Sequence, residues 1–163
     1  MAITQEDFKA TMARRASAVS IVTSRFRGTI HGMTVSDFAG VSLEPPLALV
    51  CADKASITTG LIGEGKCFAI NILSDRQEAL SNRFASKKDE FRRFEGVEIS
   101  DGATGAPLIA AAVANLDCEL VASHDAGDHI IFVGRVVDVR ISNLDPLVYF
   151  SGRYASIGKH PLE

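Results

Sequence analysis

The sequence predicts a mainly β protein, an antiparallel barrel that is closed or nearly closed, with a few short helices. Three observations carry this reading. Short runs of strand-forming residues recur along the chain between turn residues. The last third holds two long β runs on either side of an Asp- and Gly-bearing turn. Helix signals are confined to a few brief stretches. Closing such a sheet removes exposed edges that would pair with other chains. At 163 residues one domain is the default, taken as residues 1–161. Leu162-Glu163 reads as a cloning remnant and stands outside it.

The elements follow in order. Thr4 and Asp7 mark a helix start, with Ile3 and Phe8 as a hydrophobic staple, and the helix should reach about Arg14. Strand-like runs follow at Val19 to Thr23, Met33 to Phe38 and Leu47 to Cys51, and Pro45-Pro46 separates the last two. Ser56 opens a short helical turn that ends in Gly60, Gly63 and Gly65. Cys67 to Leu73 alternates as a strand does. Ser74 and Gln77 have capping-box spacing, and Leu80 and Phe84 share a face of the helix they open. The charged stretch Lys87 to Phe94 is expected to form a further helical turn. Ala114 to Ser123 and Ile130 to Ile141 form a hairpin across His124 to His129. Leu147 to Tyr154 is a last strand, interrupted by Gly152.

Composition excludes several classes. The net charge of −3 argues against a general nucleic-acid binder, which carries a basic face. No apolar run is long enough to span a bilayer. Polar residues Thr4 to Asp7 stand where a secretory signal would be apolar, so a cytoplasmic location is expected. Cys51, Cys67 and Cys118 lie in apolar stretches without C-x-x-C spacing, which fits buried thiols.

Four candidate motifs fail. Gly60 to Lys66 approaches a phosphate-binding P-loop, but Cys67 replaces the hydroxyl residue that would hold magnesium, and a strand follows. It reads as a glycine-rich turn. No G-x-G-x-x-G follows a strand, and no G-x-S-x-G elbow exists. His124, Asp125, Asp128 and His129 are metal-ligand types on one turn, yet no other cluster offers a second arm, so no metal is expected.

Five segments then stand together in one order: Gly32-Met-Thr-Val-Ser36, Val41-Ser-Leu-Glu-Pro-Pro-Leu47, Ser81-Asn-Arg-Phe-Ala85, Gly127-Asp-His129 and Tyr149-Phe-Ser-Gly-Arg-Tyr154. In these the chain resembles the short-chain flavin reductases, whose fold is the FMN-binding split barrel, of Greek-key type. Members include reductase components of two-component monooxygenases. The resemblance implies hydride transfer from NADH or NADPH to FMN or FAD. It also implies a homodimer and delivery of reduced flavin to a partner monooxygenase. A flavoprotein that keeps FMN and acts on a small substrate is the alternative, as is a non-catalytic flavin-binding barrel.

The resemblance places Thr34, Val35 and Ser36 along the flavin ring edge, where donors stabilise negative charge on the reduced ring. Without it, Thr34 and Ser36 read as strand hydroxyls facing solvent. Ala52, Asp53, Lys54, Ser56 and Thr58 follow a strand and open a helical turn able to cradle a phosphate. Lys54 adds charge there while Asp53 opposes it. Ser81, Asn82, Arg83 and Phe84 resemble the family's second flavin-contacting stretch, which implies a bidentate phosphate contact for Arg83. His129 is the expected nicotinamide contact, with Gly152, Arg153 and Tyr154 beside it. The chain departs from the pattern at Ala18, where Gly is frequent, and at Asp37 and Gly40, where small hydroxyl residues are usual. Asp37 puts a carboxylate near the flavin if it faces inward.

Overall fold

The computed structural model describes residues 2–88 and 90–157. The first helix, α1 (Gln5–Met12), is capped reciprocally. Thr4 Oγ1 accepts from the Asp7 N–H at 3.0 Å, and the Asp7 carboxylate accepts from the Thr4 N–H at 3.2 Å. Ile3 and Phe8 stay largely exposed rather than forming a tight staple, and no residue of α1 is buried.

The strands are β1 (Ser17–Ala18), β2 (Ser20–Phe26), β3 (Thr29–Val35), β4 (Phe38–Leu43), β5 (Pro46–Asp53), β6 (Cys67–Ile72), β7 (Ile99–Asp101), β8 (Pro107–Ile109), β9 (Ala114–Ala126), β10 (His129–Ile141), β11 (Val148–Phe150) and β12 (Arg153–Ala155). Seven of them form one antiparallel sheet in the order β3-β2-β6-β9-β10-β5-β4. A second sheet orders β1-β11-β12, and β7 pairs with β8.

That strand order explains a difference from the sequence reading. Met33 to Phe38 is not one strand, because pairing stops at Ser36-Asp37. β3 and β4 are opposite edges of the sheet, yet only these two residues join them. Three Cα–Cα steps span at most about 11 Å. The two edges therefore meet, and the sheet curls into a barrel whose seam lies at Ser36-Asp37.

Other elements also differ. Gly60, Gly63 and Gly65 do not end a turn but lie within a full helix, α2 (Ile57–Gly65), capped by Ser56. A Cβ on Gly65 would sit 2.1 Å from the Arg25 carbonyl oxygen, so glycine lets α2 lie directly on β2. Leu147 to Tyr154 is a hairpin, not one strand, since Ser151 and Gly152 turn with φ of +48° and +78°. The β9–β10 hairpin turns only at Gly127-Asp128, so His124 to Ala126 and His129 belong to strands. Ser74 and Gln77 lead through a 3₁₀ turn (Asp75–Gln77) into α3 (Glu78–Ala85), and Gln77 Oε1 accepts from the Ser74 N–H at 3.0 Å. The charged stretch forms a 3₁₀ turn at Glu90–Arg92.

The barrel interior packs Val22, Met33, Ala48, Val50, Ala52, Ile62, Phe68, Ile70, Cys118 and Phe132. Each large side chain buried there contributes roughly 1.5–3 kcal/mol. The Cys118 thiol is pushed up to about 12 by burial, with Asp117 adding to the effect, which fits an inert core thiol. A second cluster of Val19, Ile21, Leu73, Phe84, Ile109 and Leu147 seats α3. Buried Asn71 joins the layers. Its Nδ2 donates to Ile21 O at 2.9 Å, and its Oδ1 accepts from the Ile109 N–H at 2.8 Å.

Candidate active site

The seam gathers most of the expected residues. At the end of β3 the Thr34 hydroxyl donates to Ser81 O at 2.6 Å, fixing α3 against the strand. The Ser81 and Tyr154 hydroxyls lie 2.8 Å apart, and Tyr154 donates to Asn82 Oδ1 at 3.0 Å. The rings of Tyr149 and Tyr154 pack edge to face at 5.3 Å. Segments from three parts of the chain thus meet beside the corner formed by Val35, Ser36 and Asp37. The Thr34 hydroxyl is held by this short internal bond, whereas the Ser36 hydroxyl has only a long 3.4 Å contact to Asp37 Oδ2, which a ligand could replace.

The second group adjoins the first. The Cys51 N–H donates to Asp37 O at 3.0 Å, so the corner rests on β5 just before Ala52 and Asp53. Asp53 accepts from the Ala55 N–H at 2.8 Å, and Ser56 accepts from the Thr58 N–H at 3.2 Å. This orders the turn into α2, whose first N–H groups have no helical partners. His129 pairs in register with Asp53, which puts the hairpin tip at the same end of the barrel. His129 Nδ1 is 2.7 Å from Asp128 Oδ1. That bond, reinforced by the histidine's charge, holds the Asp128 carboxyl below its usual range.

Four of the expected residues engage their side chains within the protein. The Lys54 ammonium is one of them. It binds both Asp125 carboxylate oxygens at 2.7 Å and Gly127 O at 2.6 Å, clamping the hairpin tip. Thr58 is buried with its hydroxyl 2.8 Å from His31 Nδ1. Phe84 is buried on Phe94, ring centroids 5.0 Å apart, because its helical position points into the core. The Ala52 side chain faces the barrel interior, leaving only its backbone toward the site. Gly152 and Arg153 lie exposed in the turn and first residue of the last hairpin, next to Tyr154.

Arg83 bonds outside the Tyr154 network. Its Nη1 donates to Glu95 O at 2.9 Å, and it lines a cavity of about 360 Å³ with Ser86, Lys88, Arg92 and Glu95. Arg92 chelates the Glu95 carboxylate at 2.7 and 2.8 Å, so the excess positive charge comes from Arg83 and Lys88, which suits a phosphate.

Two residues escaped the sequence reading. His31 is buried, and burial, with the nearby Arg93 charge, lowers its pKa so that the neutral ring is favoured. Arg93 is 3% exposed, donates to Gly32 O at 2.9 Å and pairs with Glu90 at 3.1 Å. Together they brace β3 behind the corner. His31 directly precedes the Gly32 segment; Arg93 gave no signal beyond being one of a charged run.

A barrel whose two edges meet at a donor-lined corner, with a tyrosine network on one side and a hairpin-tip histidine on the other, defines the split-barrel class. The profile described as "Flavin reductase like domain" matches residues 12–158. The chain belongs to that family. It is 32% identical over 157 residues to the flavin-dependent monooxygenase reductase subunit HsaB of Rhodococcus jostii, covering 96% of this chain and 80% of the relative. It is 36% identical over 158 residues to an NADH-dependent flavin reductase of Rhodococcus sp, covering 95% and 88%. The NADH:FAD oxidoreductase SgcE6 of Streptomyces globisporus C-1027, solved with NAD and FAD fragments, superposes with a TM-score of 0.90 at 28% identity, covering 99% of each chain.

Proposed function

We propose that this chain is an NAD(P)H-dependent flavin reductase that passes a hydride from NADH or NADPH to FMN or FAD and releases reduced flavin to a partner monooxygenase. The observation that carries it is the convergence of the Val35–Ser36 corner, the Ser81–Asn82–Tyr154 network and the Asp53–His129 tip at the barrel seam. Family membership supports the same chemistry. The residues fit a flavin mononucleotide unit: donors at the corner for a ring edge, and cations at Arg83 and Lys88 for a phosphate. The bound flavin supplies the hydride acceptor. The chain's own task is positioning, because hydride transfer needs aligned rings rather than a strong acid or base. Ser36 and the corner backbone orient the ring edge. His129, half exposed beside Asp53, orients the nicotinamide. The Lys54–Asp125 clamp holds the tip that carries it.

We further read residues 1–161 as one domain, acting in the cytoplasm as a homodimer. No described helix is long and apolar enough to cross a membrane. Val41, Leu43, Val121, Val137, Val139 and Ile141 on β4, β9 and β10 are exposed, an apolar surface that a second copy would cover. Light scattering should give about twice the 17.4 kDa chain mass, and a fully active monomer contradicts this.

The function is tested by following NADH oxidation with and without added flavin. Oxidation that depends on added FMN or FAD is expected. A yellow protein that oxidises NADH without added flavin supports a tightly held FMN instead. No oxidation with any flavin or nicotinamide overturns the reading. Within it, Arg83→Ala is expected to weaken flavin binding roughly tenfold, the size of one lost charge-assisted contact, with turnover at saturating flavin nearly unchanged. A remote phosphate contact acts alike in ground and transition states. An unchanged flavin dissociation constant removes Arg83 from the site.

A further inference from the structure

An ion pair sits at the seam. Arg15, in the link between α1 and β1, pairs through Nη2 with Asp37 Oδ1. The same nitrogen lies 3.4 Å from Ser36 O, and the Ser36 hydroxyl lies 3.4 Å from Asp37 Oδ2. Asp37 O accepts from the Cys51 N–H at 3.0 Å. A full negative charge and a full positive charge therefore sit on the two-residue corner, between the β3 end and the strand that leads to Asp53. Both fields reach β5: the Cys51 thiol is raised by burial and by Asp37, and Arg15 opposes that rise.

We infer that Arg15 and Asp37 are an electrostatic tuning pair for the flavin ring, in which Arg15 cancels the carboxylate that would otherwise repel the reduced, anionic ring. The inference rests on the flavin reading above. Its chemistry is simple charge balance. A hydride adds two electrons and one proton to a neutral ring, so the product carries one more negative charge than the oxidised form. Asp37 alone disfavours that charge, and Arg15 alone favours it. As a neutral pair they bias the two redox forms little. Side-chain exposures of 46% and 52% leave the pair partly screened, so each single effect should be modest.

The test is a double-mutant cycle read by affinity, not turnover. Dissociation constants for oxidised and for reduced FMN are measured anaerobically for the parent, Arg15→Met, Asp37→Asn and the double variant. Thermal melts confirm that each is folded. The ratio of reduced to oxidised dissociation constants should rise roughly three- to tenfold in Arg15→Met and fall by a similar factor in Asp37→Asn. The double variant should return to within about twofold of the parent. Added salt should shrink both single effects. A purely structural link predicts something else: both singles weaken both redox forms together, and the ratio stays flat. That result overturns the inference while the flavin site stands. A parent that binds neither form overturns the flavin reading and this inference with it.

Discussion

Replacing His129 with alanine is expected to slow reduction of bound flavin by NADH roughly ten- to hundredfold, the range a misplaced donor costs, with flavin affinity nearly unchanged. His129 begins β10 opposite Asp53 and is tied to Asp128, at the tip that Lys54 clamps. Its ring is 44% exposed, so its loss removes a surface contact and little packing. The lost term concerns the hydride donor, and it should appear in the reduction rate, in the apparent NADH constant, or in both. A merely structural histidine predicts lower stability and weaker flavin binding together. Anaerobic stopped-flow bleaching beside a flavin titration separates the two. Parental rates and parental NADH dependence move the nicotinamide site elsewhere, with Tyr154 the next candidate.

Gly134→Ala is expected to destabilise the barrel by about 3 kcal/mol, the upper part of the overpacking range. A Cβ at Gly134 would lie 2.5 Å from Phe68 Cζ and 2.7 Å from Cys118 Cβ, and both partners are fully buried. Cys118 Cβ is fixed to the β9 backbone, and the Phe68 ring, fully buried on β6, must be displaced within a packed core. Such a loss lowers Tm by roughly 6–12 °C in a chain of this size. Gly60→Ala is the control, because nothing lies within 4 Å of its Cβ position. Melting curves check both. A parental Tm for Gly134→Ala would mean that the core holds slack that this packing does not show.

Much of this fold is legible in the sequence, and the failures have physical causes. β-branched and aromatic runs located β2, β5, β6, β9 and β10, because burial on a sheet demands those residues. β7 and β8 were missed, since three-residue strands carry no periodic signal. The glycines of α2 misled because their purpose is tertiary: Gly65 admits the Arg25 carbonyl, which no local pattern reveals. The break at Ser36-Asp37 was equally invisible, as it follows from which edges meet.

The site was legible only through the five ordered segments. The seam brings residues of these segments together, with Ser36, Ser81, Asn82 and Tyr154 at one corner and Asp53 and His129 adjoining. What single residues do there was harder to read. Lys54 and Thr58 look like ligand contacts in sequence, but Asp125 and His31 claim their polar atoms. Phe84 belongs to the core for the same reason it looked helical: its spacing from Leu80 faces the barrel. Arg15 gave no sign at all, since its partner Asp37 lies on the seam, 22 residues further along the chain.

A seam that holds a flavin within reach of a nicotinamide and lets the reduced product go must show both steps in one experiment. The most direct measurement mixes the protein and FMN or FAD with NADH under anaerobic conditions, follows flavin bleaching, and then passes the mixture through a protein-retaining membrane. The expected result is bleaching that saturates with NADH, runs far faster than the same mixture without protein, and leaves reduced flavin in the filtrate. Bleaching no faster than the protein-free mixture would contradict it.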